Sequence, residues 1–333
     1  MKRILFPIVA TTLAAVLGLG IIEIVLRLVG RGPWPERIFA NEPTMHRDDP
    51  VLGWANLEGK NRFPGYVPGA PEIEMTFWSE GRRASAPAPV TAPSQLVLLG
   101  CSVTQGWGIS DPETYAWRLQ ERFPDVEVRN YGTGGYGTWQ AYLTLQRVVP
   151  TCSDPRLVLY AFIEHHETRN IASVEWLEML SRYARRGHID TPYATIDGDG
   201  NLVGHPPEHY LLLPLCRQLA TVAGLQGLYM AQKTSARSSQ GREVTERTIV
   251  EMDRFCREKG VPFAVLLLMA TPATHEHYAR FLEAQGIETI DCVRSVTAEY
   301  QIPGNPHPNG AMNEIWTDCM AARIGELLGR APH

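Results

Sequence analysis

The chain is 333 residues long, 44% hydrophobic and 20% charged, an ordinary globular composition with room for one sizeable domain and additional segments. Its 31 basic and 36 acidic residues leave a net charge of −5, and the basic residues are dispersed, which argues against nucleic acid as a partner.

The amino terminus departs from that composition. Residues Ile4–Ile22 contain no charged side chain, and the apolar character runs on to Val29 apart from Glu23 and Arg27. About 20 apolar residues cross a bilayer core. Lys2 and Arg3 precede the run, which is long for the apolar segment of a cleaved signal, and no Ala-x-Ala-like site clearly closes it. Residues 1–30 are therefore expected to form an uncleaved, single-pass transmembrane anchor; a buried core helix is the competing reading. Glu23 and Arg27, spaced i,i+4, are placed to pair on one helix face near its far end. Lys2, Arg3 and the free amine favour an inside amino terminus, against the weight of Arg27, Arg31 and Arg37 beyond the span. The expectation is a domain held on the outer side of a bacterial cytoplasmic membrane.

Residues 31–93 are rich in Pro, Gly and Trp with little periodicity, and read as a juxtamembrane connector that partly packs on the domain. Within them Ser85–Ser94, SAPAPVTAPS, reads as a flexible exposed loop. From 94 to 330 a repeating pattern takes over. The apolar runs Leu96–Leu99, Val126–Val128, Leu157–Phe162, Phe263–Met269 and Glu288–Ile290 predict strands. Between them, helical periodicity covers Glu113–Phe123, Trp139–Val149, Val174–Arg185, Leu211–Gln232, Val244–Lys259 and His275–Ala284, and Met312–Leu328 closes the chain. Strands alternating with helices imply a mostly parallel sheet covered on both faces. The turn signals in TIDGDGNLVG, within Thr191–Gly204, suggest a small inserted hairpin. The six cysteines, Cys101, Cys152, Cys216, Cys256, Cys292 and Cys319, show neither metal-ligand nor disulfide-framework spacing. Cys256, Cys292 and Cys319 read as small core residues, and cysteine usage leaves the compartment open.

Four segments carry chemistry. In LVLLGCSVTQGWG, Leu96–Gly108, a buried strand runs into a tight turn that holds Ser102 at the carboxyl edge of the sheet, where α/β proteins keep their sites. A glycine-rich run, Asn130-Tyr131-Gly132-Thr133-Gly134-Gly135-Tyr136-Gly137, follows the second strand; its spacing is not that of a phosphate-binding loop. Phe162-Ile163-Glu164-His165-His166-Glu167 ends the third strand, and Asn305-Pro306-His307-Pro308-Asn309 precedes the last helix.

Taken together, these segments resemble the four blocks of the SGNH (GDSL-like) hydrolases, serine esterases and acyltransferases built on a flavodoxin-like three-layer α/β/α sandwich with a parallel five-stranded sheet. The resemblance covers roughly Leu96–Leu328. It implies that Ser102 is the nucleophile and that its backbone N–H, with that of Gly135, forms an oxyanion hole. It implies that His307 is the general base. The chain departs from the family pattern at three places. Cys101 stands where the family has Asp. Glu164 falls on the position of an oxyanion-donating Asn, and an ionised carboxylate cannot donate, so either His165 or His166 donates or the hole has two donors. The acid before His307 is missing; Asn305 can orient the imidazole through its amide oxygen, and Asp291, at the end of the fifth strand, is a rival. A metal set at His165, His166 and Glu167 is disfavoured because adjacent strand residues face opposite ways.

The expected activity is serine ester hydrolysis by a Ser102–His307 dyad through an acyl-enzyme, acting without a cofactor on an acylated small molecule, glycan or lipid. A carbohydrate O-acyl esterase is one form of it. The alternatives are an O-acyltransferase of envelope glycans and an inactive membrane-tethered scaffold. Trp107, Tyr136 and Trp139 flank the first two blocks and are candidates either for stacking on a sugar or for core packing.

Overall fold

The computed structural model describes residues 2–36 and 43–329; Arg37 and the side chains of Lys2 and Arg3 lie outside what is described. In chain order the elements are α1 (Lys2–Leu28), β1 (His46–Asp49), β2 (Gly53–Asn56), β3 (Gly59–Phe63), β4 (Ile73–Phe77), β5 (Ser94–Leu99), α2 (Ser102–Gln105), α3 (Tyr115–Arg122), β6 (Val126–Asn130), α4 (Thr138–Val148), β7 (Pro155–Ile163), α5 (His166–Asn170), α6 (Val174–Ser181), β8 (His188–Ile196), β9 (Leu202–Leu211), α7 (Ala220–Thr234), α8 (Gly241–Glu258), β10 (Phe263–Met269), α9 (Pro272–Gln285), β11 (Glu288–Asp291), β12 (Gln301–Ile302), β13 (Asn305–Pro308) and α10 (Gly310–Leu328).

The apolar runs divide their side chains between two cores because a strand alternates faces. Val97, Leu99, Val158, Tyr160, Val265 and Leu267 point to one core, with α4, α8 and α9. Leu96, Leu98, Leu157, Leu159, Ala264 and Leu266 point to the other, with α3 and α10. Burial on both faces is what makes these strands read as near-continuous hydrophobic segments. The sheet has five parallel strands in the order β11-β10-β7-β5-β6, the doubly wound flavodoxin-like arrangement. Ligands in such sheets bind beyond the carboxyl ends of the strands, where the order reverses; here that point lies between β5 and β7.

Three elements differ from expectation. The stretch 31–93 carries two hairpins, β1–β2 and β3–β4; β4, IEMTF, alternates apolar and polar residues, whereas the four- and five-residue strands β1 to β3 carry no such pattern. Met45, Phe63, Ile73, Met75 and Phe77 form a small core of their own beneath them. Arg83, fully buried, reaches Asp111 at 3.0 Å, and its N–H donates to Asn130, which covers the β6 edge of the sheet. Ser85 and Ser94, at the ends of the expected loop, are both buried. The inserted hairpin is also longer than Thr191–Gly204, since β9 runs to Leu211 and the helix expected from Leu211 begins only at Ala220.

The third difference is a disulfide. Cys292, just past β11, is bonded to Cys319 of α10 across 27 residues of sequence, so these two are not simply core residues. Only the fold brings them together, because nothing in their spacing marks a pair. Chain-entropy reasoning assigns a loop of this size about 3 kcal/mol of stabilisation. Cys319→Ser is accordingly expected to lower the thermal midpoint, and added reductant should lower the midpoint of the parent chain but not that of the variant.

The helix α1 contains a 22-residue segment, Pro7–Leu28, with mean hydropathy 2.3 and no fully buried residue. It is long and apolar enough to cross a membrane. Glu23 and Arg27 do pair, at 2.7 Å.

Candidate active site

Ser102 opens α2, directly beyond the carboxyl end of β5. Gly100 permits the turn: a Cβ there would stand 2.1 Å from the Thr104 hydroxyl. Cys101 is wholly buried in the α3/α10 core and points away from solvent. As the first helical residue, Ser102 has a backbone N–H without an intrahelical acceptor.

His307 lies on β13, which pairs with β12 around the turn at Gly304, and Asn309 caps the following helix by accepting from the Met312 N–H at 3.1 Å. This brings the imidazole to Ser102 at the start of α2. His307 Nε2 stands 3.0 Å from Ser102 Oγ, and His307 Nδ1 stands 2.7 Å from Asn305 Oδ1. The same amide oxygen accepts the His307 backbone N–H at 3.1 Å, which sets the orientation of the Asn305 amide. An amide oxygen only accepts, so Nδ1 carries the hydrogen and Nε2 is left to accept from Ser102. Burial lowers the His307 pKa to about 4, and the Arg169 guanidinium adds to the lowering. The imidazole is therefore neutral, and competent as a base, at neutral pH.

Asp291 is not part of this arrangement. Its carboxylate takes His275 Nε2 at 2.7 Å, so of the two orienting candidates the structure brings only Asn305 to His307. Glu164 is turned away as well, its carboxylate accepting the Thr271 N–H at 2.7 Å in the loop after β10. His166 is fully buried, with Nδ1 2.6 Å from the Tyr160 hydroxyl, and burial holds its pKa well below the ordinary value. His165 is exposed at the surface; partial desolvation by neighbouring atoms, followed by the Arg169 charge, moves its pKa down. Among the described residues neither histidine bonds to Ser102, His307 or the glycine-rich run. Glu167 pairs with Arg242 at 3.0 Å and accepts the Tyr278 hydroxyl at 2.9 Å, so the three residues of the metal reading go separate ways.

The glycine-rich run passes beside Ser102. Thr133 N–H donates to Gly100 at 3.1 Å, and Asn130 ties the run to α2 through the Thr104 carbonyl at 2.8 Å. Gly135 has φ +85°, and a Cβ there would meet Trp54 at 3.1 Å and Trp176 at 3.2 Å, so glycine is needed for both conformation and space. Tyr136 and Trp139, candidates for sugar stacking, are buried; Trp107, half-buried, stacks on His46 at 5.9 Å.

Several residues at this site escaped sequence reasoning. Asn56 donates to the Gly132 carbonyl at 3.0 Å and accepts from Gln105 at 2.8 Å, and Trp54 donates to Gly134 at 2.8 Å. Both belong to the 31–93 segment, so its first hairpin buttresses the run that carries Gly135. Burial holds the neighbouring His46 imidazole down to about 4. Arg169, just past the third block, donates to the Tyr136 carbonyl at 2.9 Å and stacks its guanidinium 4.6 Å over Trp176. A charged residue five positions after Glu164 has no marker in sequence; it is recognised only once the carbonyl beside Gly135 is seen to accept from it.

No protein-family model matches the chain, and no curated protein does. Solved structures do align with it. They include a lipolytic protein of the G-D-S-L family from Veillonella parvula DSM 2008 (11% identity, 68% of this chain and 96% of that one, TM-score 0.38). A second is a putative lipolytic protein of that family from Desulfitobacterium hafniense DCB-2 (10% identity, 68% and 98%, TM-score 0.39). A third is TesA (13% identity, 70% and 99%, TM-score 0.41).

Proposed function

We propose that this chain is a membrane-anchored serine ester hydrolase in which Ser102, His307 and Asn305 work as a catalytic triad with an amide in place of the acid. The observation that carries the reading is the continuous line from Ser102 Oγ through His307 to Asn305, at 3.0 and 2.7 Å. Ser102 Oγ attacks the ester carbonyl carbon as its proton passes to His307 Nε2. The imidazolium keeps its Nδ1–H on Asn305, and the developing oxyanion takes the backbone N–H groups of Ser102 and Gly135. Collapse breaks the ester C–O bond, His307 returns the proton to the leaving oxygen, and the acyl group remains on Ser102. A water attacking the acyl carbon, its proton drawn off by His307, completes hydrolysis and frees Ser102.

The substrate class we favour is an acylated glycan, envelope polymer or lipid, from the apolar helix α1 and a domain on the outer side of the cytoplasmic membrane. The Cys292–Cys319 bond agrees with an oxidising compartment. A sugar hydroxyl in place of water would make the same acyl-enzyme a transferase. The test is mass spectrometry of the full chain after brief exposure to p-nitrophenyl acetate and after a serine-directed phosphonate. The expected result is release of p-nitrophenol with an adduct on Ser102. A folded chain that neither turns over nor takes the phosphonate would favour the scaffold reading.

Arg169 is assigned a positioning role, holding the Tyr136 carbonyl and so the adjacent Gly135. Arg169→Gln is expected to lower kcat about tenfold or more, since misplacing one oxyanion donor weakens a contact whose complete loss costs about 10²–10³. Because the Arg169 charge lowers the His307 pKa, its removal should also raise the acid limb of kcat/KM. A purely structural role would leave that limb in place.

A further inference from the structure

The helix α7 turns leucines outward while, beside the buried Ala223 and Met230, it buries the polar Gln226. Gln226 is buried, donating to the Leu211 carbonyl at 2.9 Å and accepting from Leu213 at 2.6 Å, while Leu225 is 54% and Leu228 69% exposed. The segment leading into it exposes Leu211, Leu215 and Leu219 as well; the other exposed large apolar residues beyond α1, namely Val29, Val51, Leu57 and Tyr183, are scattered. Arg217 is the lone charged side chain between 211 and 232; it donates to the Ser181 and Ala184 carbonyls and pairs with Glu36 at 2.5 Å.

This apolar surface is fastened to the end of α1. The Glu23 carboxylate accepts from the Ala220 and Thr221 N–H groups at 2.9 and 2.8 Å, and Arg27 donates to the Gln218 carbonyl at 2.8 Å. The chain leaving α1 is pinned too, Trp34 donating to Cys216 at 3.0 Å and packing beside Tyr210 and Met230. Glu23 lies five residues before Leu28, about 7 Å back along α1 from its end. The first turn of α7 therefore meets α1 beside the Glu23–Arg27 pair, at the outer end of the apolar span, which is the depth of the headgroups and upper acyl chains.

We propose that Leu211–Leu219 and the outer face of α7 are embedded in the interfacial zone of the bilayer that α1 crosses, so that the domain rests on the membrane as a rigid body. The inference builds on the reading of α1 as a span. An outward leucine face is what a lipid-facing helix requires, and attachment to α1 leaves the bilayer as the nearest apolar phase.

The test uses the full chain in phosphatidylethanolamine–phosphatidylglycerol vesicles, in a Cys152→Ser background because the other free cysteines are buried. The fluorophore NBD is attached at Leu225→Cys, Leu228→Cys, Val16→Cys within α1, or Arg257→Cys on the exposed face of α8. Lipids brominated at shallow acyl positions should quench the probes at 225 and 228, and lipids brominated deep in the acyl chains the probe at 16, each with about twofold greater loss than at 257. Quenching at 16 without quenching at 225 and 228 would overturn the embedded face while leaving the span standing. Absence of quenching at all three sites would overturn both. Disulfide-linked dimers through Leu228→Cys, with no quenching there, would instead assign the face to a second copy of the chain.

Discussion

Ser102→Ala is expected to lower kcat/KM for p-nitrophenyl acetate by about 10⁴–10⁶, and His307→Ala by a similar factor, because the two side chains act as one unit. The hydroxyl is a weak nucleophile until its proton has somewhere to go. His307 Nε2 at 3.0 Å is the described base in contact with it. Removing either member removes the same event, so the double variant should be no worse than the singles, which is the diagnostic result. What remains should be the modest acceleration from the backbone donors at Ser102 and Gly135. Both substitutions make small holes at a sheet edge, so thermal midpoints close to that of the parent should accompany the loss. Turnover that survives in the Ser102→Ala protein would remove Ser102 from the chemistry.

Position 305 is expected to control the pH profile. The free-enzyme acid limb of kcat/KM follows His307, whose neutral form is the active one, so activity should rise with pH through a pKa of about 4 and stay level into the neutral range. In the parent chain the Nδ1–H meets an uncharged amide oxygen, which selects the tautomer without attracting the imidazolium. Asn305→Asp places a carboxylate there. It favours the charged ring, so the limb should move up by about 1 to 3 pH units. It should also stabilise the imidazolium in the transition state, raising the plateau about ten- to a hundredfold, the worth of one charge-assisted hydrogen bond. Asn305→Ala should go the other way, lowering kcat by about 10² or more through loss of ring orientation. An acid limb that does not move in Asn305→Asp would mean that another group orients the base, and Asp291→Asn should then be measured.

The parts of the site that could be read in the chain were those set by local geometry. Ser102 needed a buried run, a glycine and a turn; Gly135 needed a glycine-rich loop after a strand; His307 needed a loop before a terminal helix. The choice between Asn305 and Asp291 could not be made there, because Asp291 ends β11 and Asn305 begins β13, and the decision depends on where His275 places its ring. Glu164 could be judged unfit as a donor from its charge alone, but its partner, the Thr271 N–H, becomes adjacent only through the parallel pairing of β7 with β10.

By itself the sequence determined the alternation of strands and helices, the parallel sheet and the apolar helix, since these follow from hydrophobic periodicity along short windows. Tertiary structure alone decided the Cys292–Cys319 bond, the buttressing of the Gly135 run by Asn56 and Trp54, the Arg169 contact and the seating of α7 on Glu23. Each joins residues whose separation carries no periodic signal, so they come together only when the sheet has closed and its loops have been packed against one another.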